Sequence, residues 1–268
     1  MFESFILGMV QGVTEWLPVS SEGMIVLVKN NFFDGGMLAD TIKMALFLHL
    51  GTFLAALIYF RRDVKNIVLR FMRFNLNVEV KPQEVNRILR FIIIATLVSA
   101  LLGWGLLEFI TGIENSIVLT ARFVNIIIAV LLVFTGVAQL KKRKNYGHRS
   151  AFELKDGDSI LLGVAQGAAV LPGLSRSGLT VFALLLRNFQ DTEALRLSFL
   201  LSLPIVLGGN ILLNFNQAIF SLNNLVALLS SFIFGYIMIN LFLKLAEKIN
   251  FGWFAIIFAG LVFLAVFL

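Results

Sequence analysis

Six stretches of the chain stay apolar for long enough to cross a bilayer: 43–60, 91–110, 117–139, 197–213, 225–243 and 251–268. A helical crossing takes about 20 residues, and about 17–25 will serve. Two further segments, about 2–28 and 160–186, are apolar at both ends and polar in the middle. Gly8, Gly12, Pro18 and Gly23 interrupt the first; Gly163, Gly167, Pro172, Gly173 and Gly178 interrupt the second. Irregular backbone at membrane depth persists only where protein or water satisfies it. Each broken segment is therefore expected to be a helical hairpin that enters and leaves on one side.

The two breaks share a pattern. Gly8-x-x-Gln11-Gly12, then Leu17-Pro18 and Ser20-Ser21, returns as Gly163-x-x-Gln166-Gly167, Leu171-Pro172 and Ser175-Arg176-Ser177. The stretches after them also match: Phe47-Leu48-His49-Leu50-Gly51 against Phe199-Leu200-Leu201-Ser202-Leu203-Pro204.

Charge orients the pattern. Segment 61–90 carries eight Lys/Arg and segment 141–155 carries six, with two spans between them, so the two lie on one side. The positive-inside rule makes that side the cytoplasm. Arg187, Arg196, Lys244 and Lys248 fall there too, which puts 18 of the 22 basic residues inside. Residues 111–116 and 214–224, without Lys or Arg, lie outside. The predicted fold is an all-α integral membrane protein of one domain, 1–268. It has six transmembrane helices plus two re-entrant helical hairpins, in inverted-topology repeats of about 1–139 and 150–268. A polar, solvated cytoplasmic linker at about 141–158 joins the halves, and both termini lie outside. Inverted repeats with discontinuous helices place binding sites where the breaks meet, near the midplane.

Composition agrees. The chain is 59% hydrophobic and 14% charged, against about a quarter charged in soluble domains. Without cysteine there is no disulfide framework and no thiolate metal site. The pI near 9.8 reads as basic cytoplasmic loops rather than a nucleic-acid surface. No basic segment precedes the first apolar run, so no cleaved signal peptide is expected.

The breaks carry the candidate chemistry. An arginine at mid-membrane costs about 2.5–3.5 kcal/mol on insertion scales, and a chain keeps one for a partner. Arg176, between Ser175 and Ser177 at the start of a helix, would make an anion site with helix N–H groups and hydroxyls, and phosphate is the natural guest. The plainer reading is an ion pair with Glu15 or Glu22 that ties the hairpins together. Gln11 and Glu15 share a helix face at i, i+4. Glu15 could activate water or a serine, or bind a divalent cation; it could also simply cap the next half-helix. Ser20 and Ser21 are helix-cap candidates, and Ser21 is also a candidate nucleophile or phosphate ligand. Thr14 and Thr180 are weaker candidates for the same lining. Asn210 and Asn214 read more simply as interhelical glue. His49, in an apolar run, reads more readily as a satisfied interhelical residue than as a catalytic one, and His148 as solvated.

Gln11-x-x-x-Glu15 with Trp16-Leu17-Pro18-Val19-Ser20-Ser21, together with Pro172-Gly173-Leu174-Ser175-Arg176-Ser177-Gly178-Leu179-Thr180, resembles the undecaprenyl pyrophosphate phosphatase family of the bacitracin-resistance type. The likeness runs through essentially the whole chain, including His49-Leu50-Gly51-Thr52. It implies an enzyme that removes one phosphate from an undecaprenyl-type diphosphate and so recycles the lipid carrier for cell-envelope glycans. It implies a divalent cation, Mg²⁺ or Ca²⁺, with Glu15 as a candidate ligand; Glu22, where the family often has a small or hydroxylic residue, would supply an extra acidic or metal-binding group. Glu15, Ser21 and Arg176 map onto the catalytic positions. Gln11, Ser20, Glu22, Ser175, Ser177 and Thr180 would bind the phosphates. It also implies a plasma-membrane location with the active site facing outside, and the sequence leaves a homodimer open.

The family motif Ser-Ser-x-Gly-His reads Ser20-Ser21-Glu22-Gly23-Met24 here. Met24 can be neither nucleophile nor base. If Ser21 is the nucleophile and Glu15 its base, activity survives, and the chain is a divergent, active member acting on a polyprenyl carrier such as an archaeal one. The alternative is a non-catalytic polyprenyl-phosphate transporter or flippase on the same fold. Such a protein would need Arg176 but would have little use for Glu15.

Overall fold

The computed structural model describes residues 1–17, 20–33, 37–72, 82–116, 147–171, 174–214 and 221–245, with a few isolated positions in 126–137 and 256–260. Among the described residues all regular structure is helical, in nine α-helices and one short 3₁₀ helix, Ala151–Glu153. They are α1 (Phe2–Thr14), α2 (Ser21–Phe32), α3 (Leu38–Tyr59), α4 (Arg61–Phe71), α5 (Pro82–Ser116), α6 (Asp156–Ala168), α7 (Arg176–Leu186), α8 (Asp191–Asn214) and α9 (Leu222–Leu245). Four of them are long and apolar enough to span a membrane, over Asp40–Tyr59, Pro82–Ile110, Thr192–Leu212 and Leu222–Leu241. These coincide with four of the six expected spans. The other two, 117–139 and 251–268, lie almost wholly outside the described residues.

Both polar segments break where the sequence reading puts the breaks. α1 and α2 have 13 and 12 residues, and α6 and α7 have 13 and 11. At 1.5 Å per residue each is about 20 Å long or less, too short to cross alone. The second members begin alike. Ser20 caps α2 by accepting from Gly23 N, and Ser175 caps α7 by accepting from Gly178 N, each at 3.0 Å. These hydroxyls satisfy backbone donors that a helix start leaves orphaned.

The first members are held by close backbone approach. A Cβ on Gly8 would lie 2.0 Å from Ser230 Oγ, and one on Gly12 would lie 2.7 Å from Gly235 N and Ser231 O of α9. In the second half, a Cβ on Gly163 would lie 2.8 Å from Ala95 O and one on Gly167 3.0 Å from Ser99 O of α5. Both pairs are glycines one helical turn apart, the arrangement that lets helices pack closely where lipid supplies no hydrophobic drive. Hydroxyls of α9 stitch that helix further to both α1 and α3. Ser230 donates to Phe5 O at 3.2 Å, and Ser231 donates to Leu48 O at 2.8 Å. Trp16 ends α1 fully buried, its Nε1 donating to Gly235 O at 2.8 Å and its ring set edge-on to Phe199.

Basic residues of both halves gather at one end. Arg196 of α8 reaches Asp63 Oδ1 at 2.5 Å, Glu84 Oε1 at 3.0 Å and Glu193 Oε1 at 3.2 Å, joining α4, α5 and α8. Segment 61–90 is not a plain loop. It contains α4, and α5 starts at Pro82, a residue suited to a first helical position because the N–H it lacks would have no partner there. The described part of the linker is also anchored rather than solvated. Asp158 is fully buried and takes Arg149 Nη2 and Arg187 Nε, each at 2.7 Å. Arg149 also stacks over Phe189, its guanidinium carbon 4.3 Å from the ring centre. Burial alone would raise the Asp158 carboxyl. Hydrogen bonds from Arg149 and Arg187 outweigh it and hold it below the usual aspartate value.

Candidate active site

The two breaks face each other. Glu15 stands at the C-terminal cap of α1, and Arg176 is the first residue of α7. Arg176 Nη2 pairs with Glu15 Oε1. Ser177 Oγ donates to Leu17 O at 2.9 Å, which ties the second hairpin to the end of α1. So the ion pair that the sequence suggests is present. It leaves Arg176 Nη1 buried with no partner, and that donor is free for an anion.

The other carboxylate oxygen is crowded. Glu15 Oε2 accepts from Gln11 Nε2 at 2.8 Å and from Ser21 Oγ at 2.9 Å, and His49 Nε2 lies 3.1 Å from it. His49 Nδ1 is 2.6 Å from Ala45 O. A carbonyl only accepts, so Nδ1 carries hydrogen, and the Nε2–Oε2 contact then needs a proton of its own. The carboxylate is thus positioned by an amide, a hydroxyl, an imidazole and a guanidinium.

Sequence reasoning took His49 for a structural residue. No spacing rule links the middle of α3 to the end of α1. The usable signal was a lone imidazole in an apolar run, which must find a polar partner. Met24, at the motif position, lies one turn into α2. The imidazole on Glu15 comes from α3 instead.

A cavity of about 240 Å³ opens beside this cluster. Glu15, Ser20, Ser21, Glu22, His49, Ser175, Arg176 and Ser177 line part of it, and the remaining wall includes apolar residues of α5 and α8, among them Trp104, Leu107, Ile205 and Leu212. Several predicted residues lie off its wall. Gln11 is fully buried behind Glu15. Thr180 spends its hydroxyl on Arg176 O at 2.7 Å and Ser198 Oγ at 2.6 Å, so it shapes the start of α7 rather than meeting a ligand. Thr14 donates to Val10 O at 2.7 Å. Asn210 reaches from α8 to Leu46 O at 2.8 Å, as interhelical glue does. The Asn214 side chain lies outside the described residues.

A divalent cation wants oxygen ligands. Among the described residues no group of three or more His, Asp and Glu side chains is arranged to hold one. Both Glu15 oxygens are already occupied. Glu22 Oε2 and Gln11 Oε1, however, are buried oxygens without partners. Of the two, only Glu22 lines the cavity, and a single carboxylate suits an ion that takes few protein ligands and completes its shell on substrate phosphates, as Mg²⁺ commonly does.

The family model for the bacitracin resistance protein BacA matches residues 4–264. The chain belongs to that family. Several relatives match over nearly their whole length. A protein of Methanococcoides burtonii named undecaprenyl-diphosphatase is 39% identical over 267 residues, covering 99% of this chain and 98% of its own. One of the same name from Haloarcula marismortui is 36% identical, covering 96% and 94%. A third, from Borrelia recurrentis, is 33% identical, covering 98% and 97%. The BacA family is the one the two motifs resemble, and Glu15 and Arg176, one from each motif, form the ion pair at the cavity.

Proposed function

We propose that this chain hydrolyses undecaprenyl diphosphate to the monophosphate and inorganic phosphate, returning the lipid carrier to cell-envelope glycan synthesis. One observation carries the reading: a serine hydroxyl donates to a buried carboxylate that an arginine also grips, at the head of an apolar-walled cavity. Arg176 Nη1 takes the non-bridging oxygens of the terminal phosphate. Ser21 Oγ gives its proton to Glu15 Oε2 and attacks the terminal phosphorus. The bond from that phosphorus to the bridging oxygen breaks, and undecaprenyl monophosphate leaves with the oxygen. Water then attacks the phosphoserine, the bond from phosphorus to Ser21 Oγ breaks, Ser21 takes back the proton held on Glu15, and phosphate leaves carrying both protons of the water. Gln11 and His49 hold Glu15 in line. Preorganised donors of this kind act strongly in a dry site because they need no rearrangement as charge develops. A divalent cation, Mg²⁺ or Ca²⁺, would sit on Glu22 and shield the charge of the diphosphate. Transport of the same lipid has no observation in its favour, since a carrier has no use for a hydroxyl aligned on a carboxylate.

The proposed setting is a plasma-membrane protein with six spans and two re-entrant hairpins, arranged as inverted repeats. Both termini and the active-site opening face outside. The gathering of Arg196, Arg90 and Arg149 with their carboxylates at one end supports a common cytoplasmic side.

The test is phosphate release from undecaprenyl diphosphate by purified protein in detergent, with the lipid product identified. Monophosphate and phosphate in equal amounts are expected, with loss on EDTA, recovery with Mg²⁺ or Ca²⁺, and loss in Arg176→Ala. Intact diphosphate under every condition would sink the reading.

A further inference from the structure

The catalytic cluster accounts for one polar wall of the cavity and leaves another unexplained. Thr96, Ser99 and Gln166 also line it. Ser99 and Gln166 are 1% and 5% exposed. Gln166 Nε2 meets Ser99 Oγ at 3.1 Å, and Ser99 Oγ donates to Thr96 O at 3.0 Å. Two atoms are left over: Gln166 Oε1 and Thr96 Oγ1 are buried without partners. A buried polar atom with no partner costs free energy and calls for a ligand or water. The amide is reversible at no steric cost. Turned over, it accepts from Ser99, whose one hydrogen then leaves Thr96 O, and presents its N–H₂ group as a free donor beside the Thr96 hydroxyl.

This polar wall lies on a graded one. The α5 residues facing the cavity are Thr96, Ser99, Ala100, Gly103, Trp104 and Leu107, each three or four positions from another of the set. They form a single stripe about 16 Å long. The stripe passes from hydroxyls, through small residues, to an indole and a leucine. An amphiphile laid along it would have its polar group at Thr96 and Ser99 and its hydrocarbon at Trp104 and Leu107. The charged donor, Arg176, belongs to the opposite polar cluster.

We propose that Thr96, Ser99 and Gln166 form a separate subsite for the phosphate esterified to the prenyl chain, the one the product keeps. The idea rests on the hydrolase reading, which places the departing phosphate on Arg176. A neutral subsite suits this role. Amide and hydroxyl donors can orient a phosphomonoester without the grip of a second cation, so the monophosphate can leave.

The experiment uses the full chain in detergent with Gln166→Glu, which keeps the shape of the side chain but can only accept from Ser99, and which places negative charge against the phosphate. Ser99→Ala, which removes only a hydroxyl, stands beside it in case the first fails to fold. Farnesyl monophosphate, farnesol and inorganic phosphate are each titrated, by direct binding and as inhibitors of phosphate release. Gln166→Glu is expected to weaken farnesyl monophosphate at least tenfold and Ser99→Ala about threefold, with farnesol and inorganic phosphate within twofold of the parent. Equal losses for farnesol would mean a damaged wall and would overturn the subsite. A loss confined to inorganic phosphate would overturn it too, by assigning the wall to the released group. If the parent hydrolyses diphosphate and both variants bind monophosphate normally, the subsite fails and the hydrolase stands. If the parent never hydrolyses but binds monophosphate, and the variants lose that binding, the hydrolase fails and the subsite stands.

Discussion

Replacing Gly12 by alanine tests whether the packing of α1 sets the position of Glu15. The added Cβ would meet Gly235 N and Ser231 O at 2.7 Å and Phe234 Cβ at 2.8 Å, where ordinary contact begins near 3.4 Å. Two of those atoms are backbone and cannot rotate away. α1 must therefore retreat from α9 by about 0.7 Å, the difference between the ordinary and the available distance. That stretches the bond from Trp16 Nε1 to Gly235 O, now 2.8 Å, toward the limit of a hydrogen bond. It also carries Glu15, at the end of the same helix, away from Ser21 and Arg176. Overpacking of this kind costs about 1–3 kcal/mol of stability. A misplacement approaching 1 Å at reacting groups costs up to about 100-fold in rate. Gly12→Ala is therefore expected to lower kcat about 10- to 100-fold and to lower the thermal midpoint in detergent. Gly105→Ala is the control: a Cβ there meets nothing within 4 Å, so activity should hold and the helix should gain about 0.5–1 kcal/mol. A Gly12→Ala enzyme with the parent's rate and midpoint would refute the reasoning.

Two further outcomes follow from the geometry. Asp158→Asn is expected to lose on the order of 3 kcal/mol, the low end for breaking a buried pair, because Arg187 is 45% exposed. The Asp158 carboxyl is held below its ordinary value of 3.8, so its contribution is complete above that pH and is lost as pH falls through the depressed native value. The gap between parent and variant in chemical denaturation should thus be constant from pH 8 to about 5 and close only in strong acid; a gap that widens on acidification would contradict the clamp. His49→Ala is expected to lower kcat at least tenfold with little change in KM, because the imidazole acts by holding Glu15; steady-state kinetics read this directly.

Much of this was legible in the chain. The glycines, prolines and serines of the two breaks announce short helices with Ser caps, and the motif pair points to the family. An arginine and a glutamate in apolar surroundings had to meet something, and they meet each other. What could not be read was contact between elements without a common period. His49 reaches Glu15 from α3, and Ser99 reaches Gln166 from α5, through tertiary packing that no i, i+4 rule encodes. Thr180 sits in the motif, yet its hydroxyl turns to Ser198, because a residue's place in a pattern fixes its position on the helix and not its partner. The linker looked solvated because it is polar, but a buried aspartate with two arginines is just as polar and folds down.

The central claim is that Glu15, paired with Arg176 and Ser21, drives diphosphate hydrolysis although Met24 replaces the motif histidine. The most direct measurement compares phosphate release from undecaprenyl diphosphate by the parent, Glu15→Gln and Met24→His, purified alike and supplied with Mg²⁺. An active parent, a loss of about 10²- to 10⁴-fold in Glu15→Gln as expected for removing a general base, and no need for Met24→His is the predicted result. An inert parent beside an active Met24→His would contradict the account.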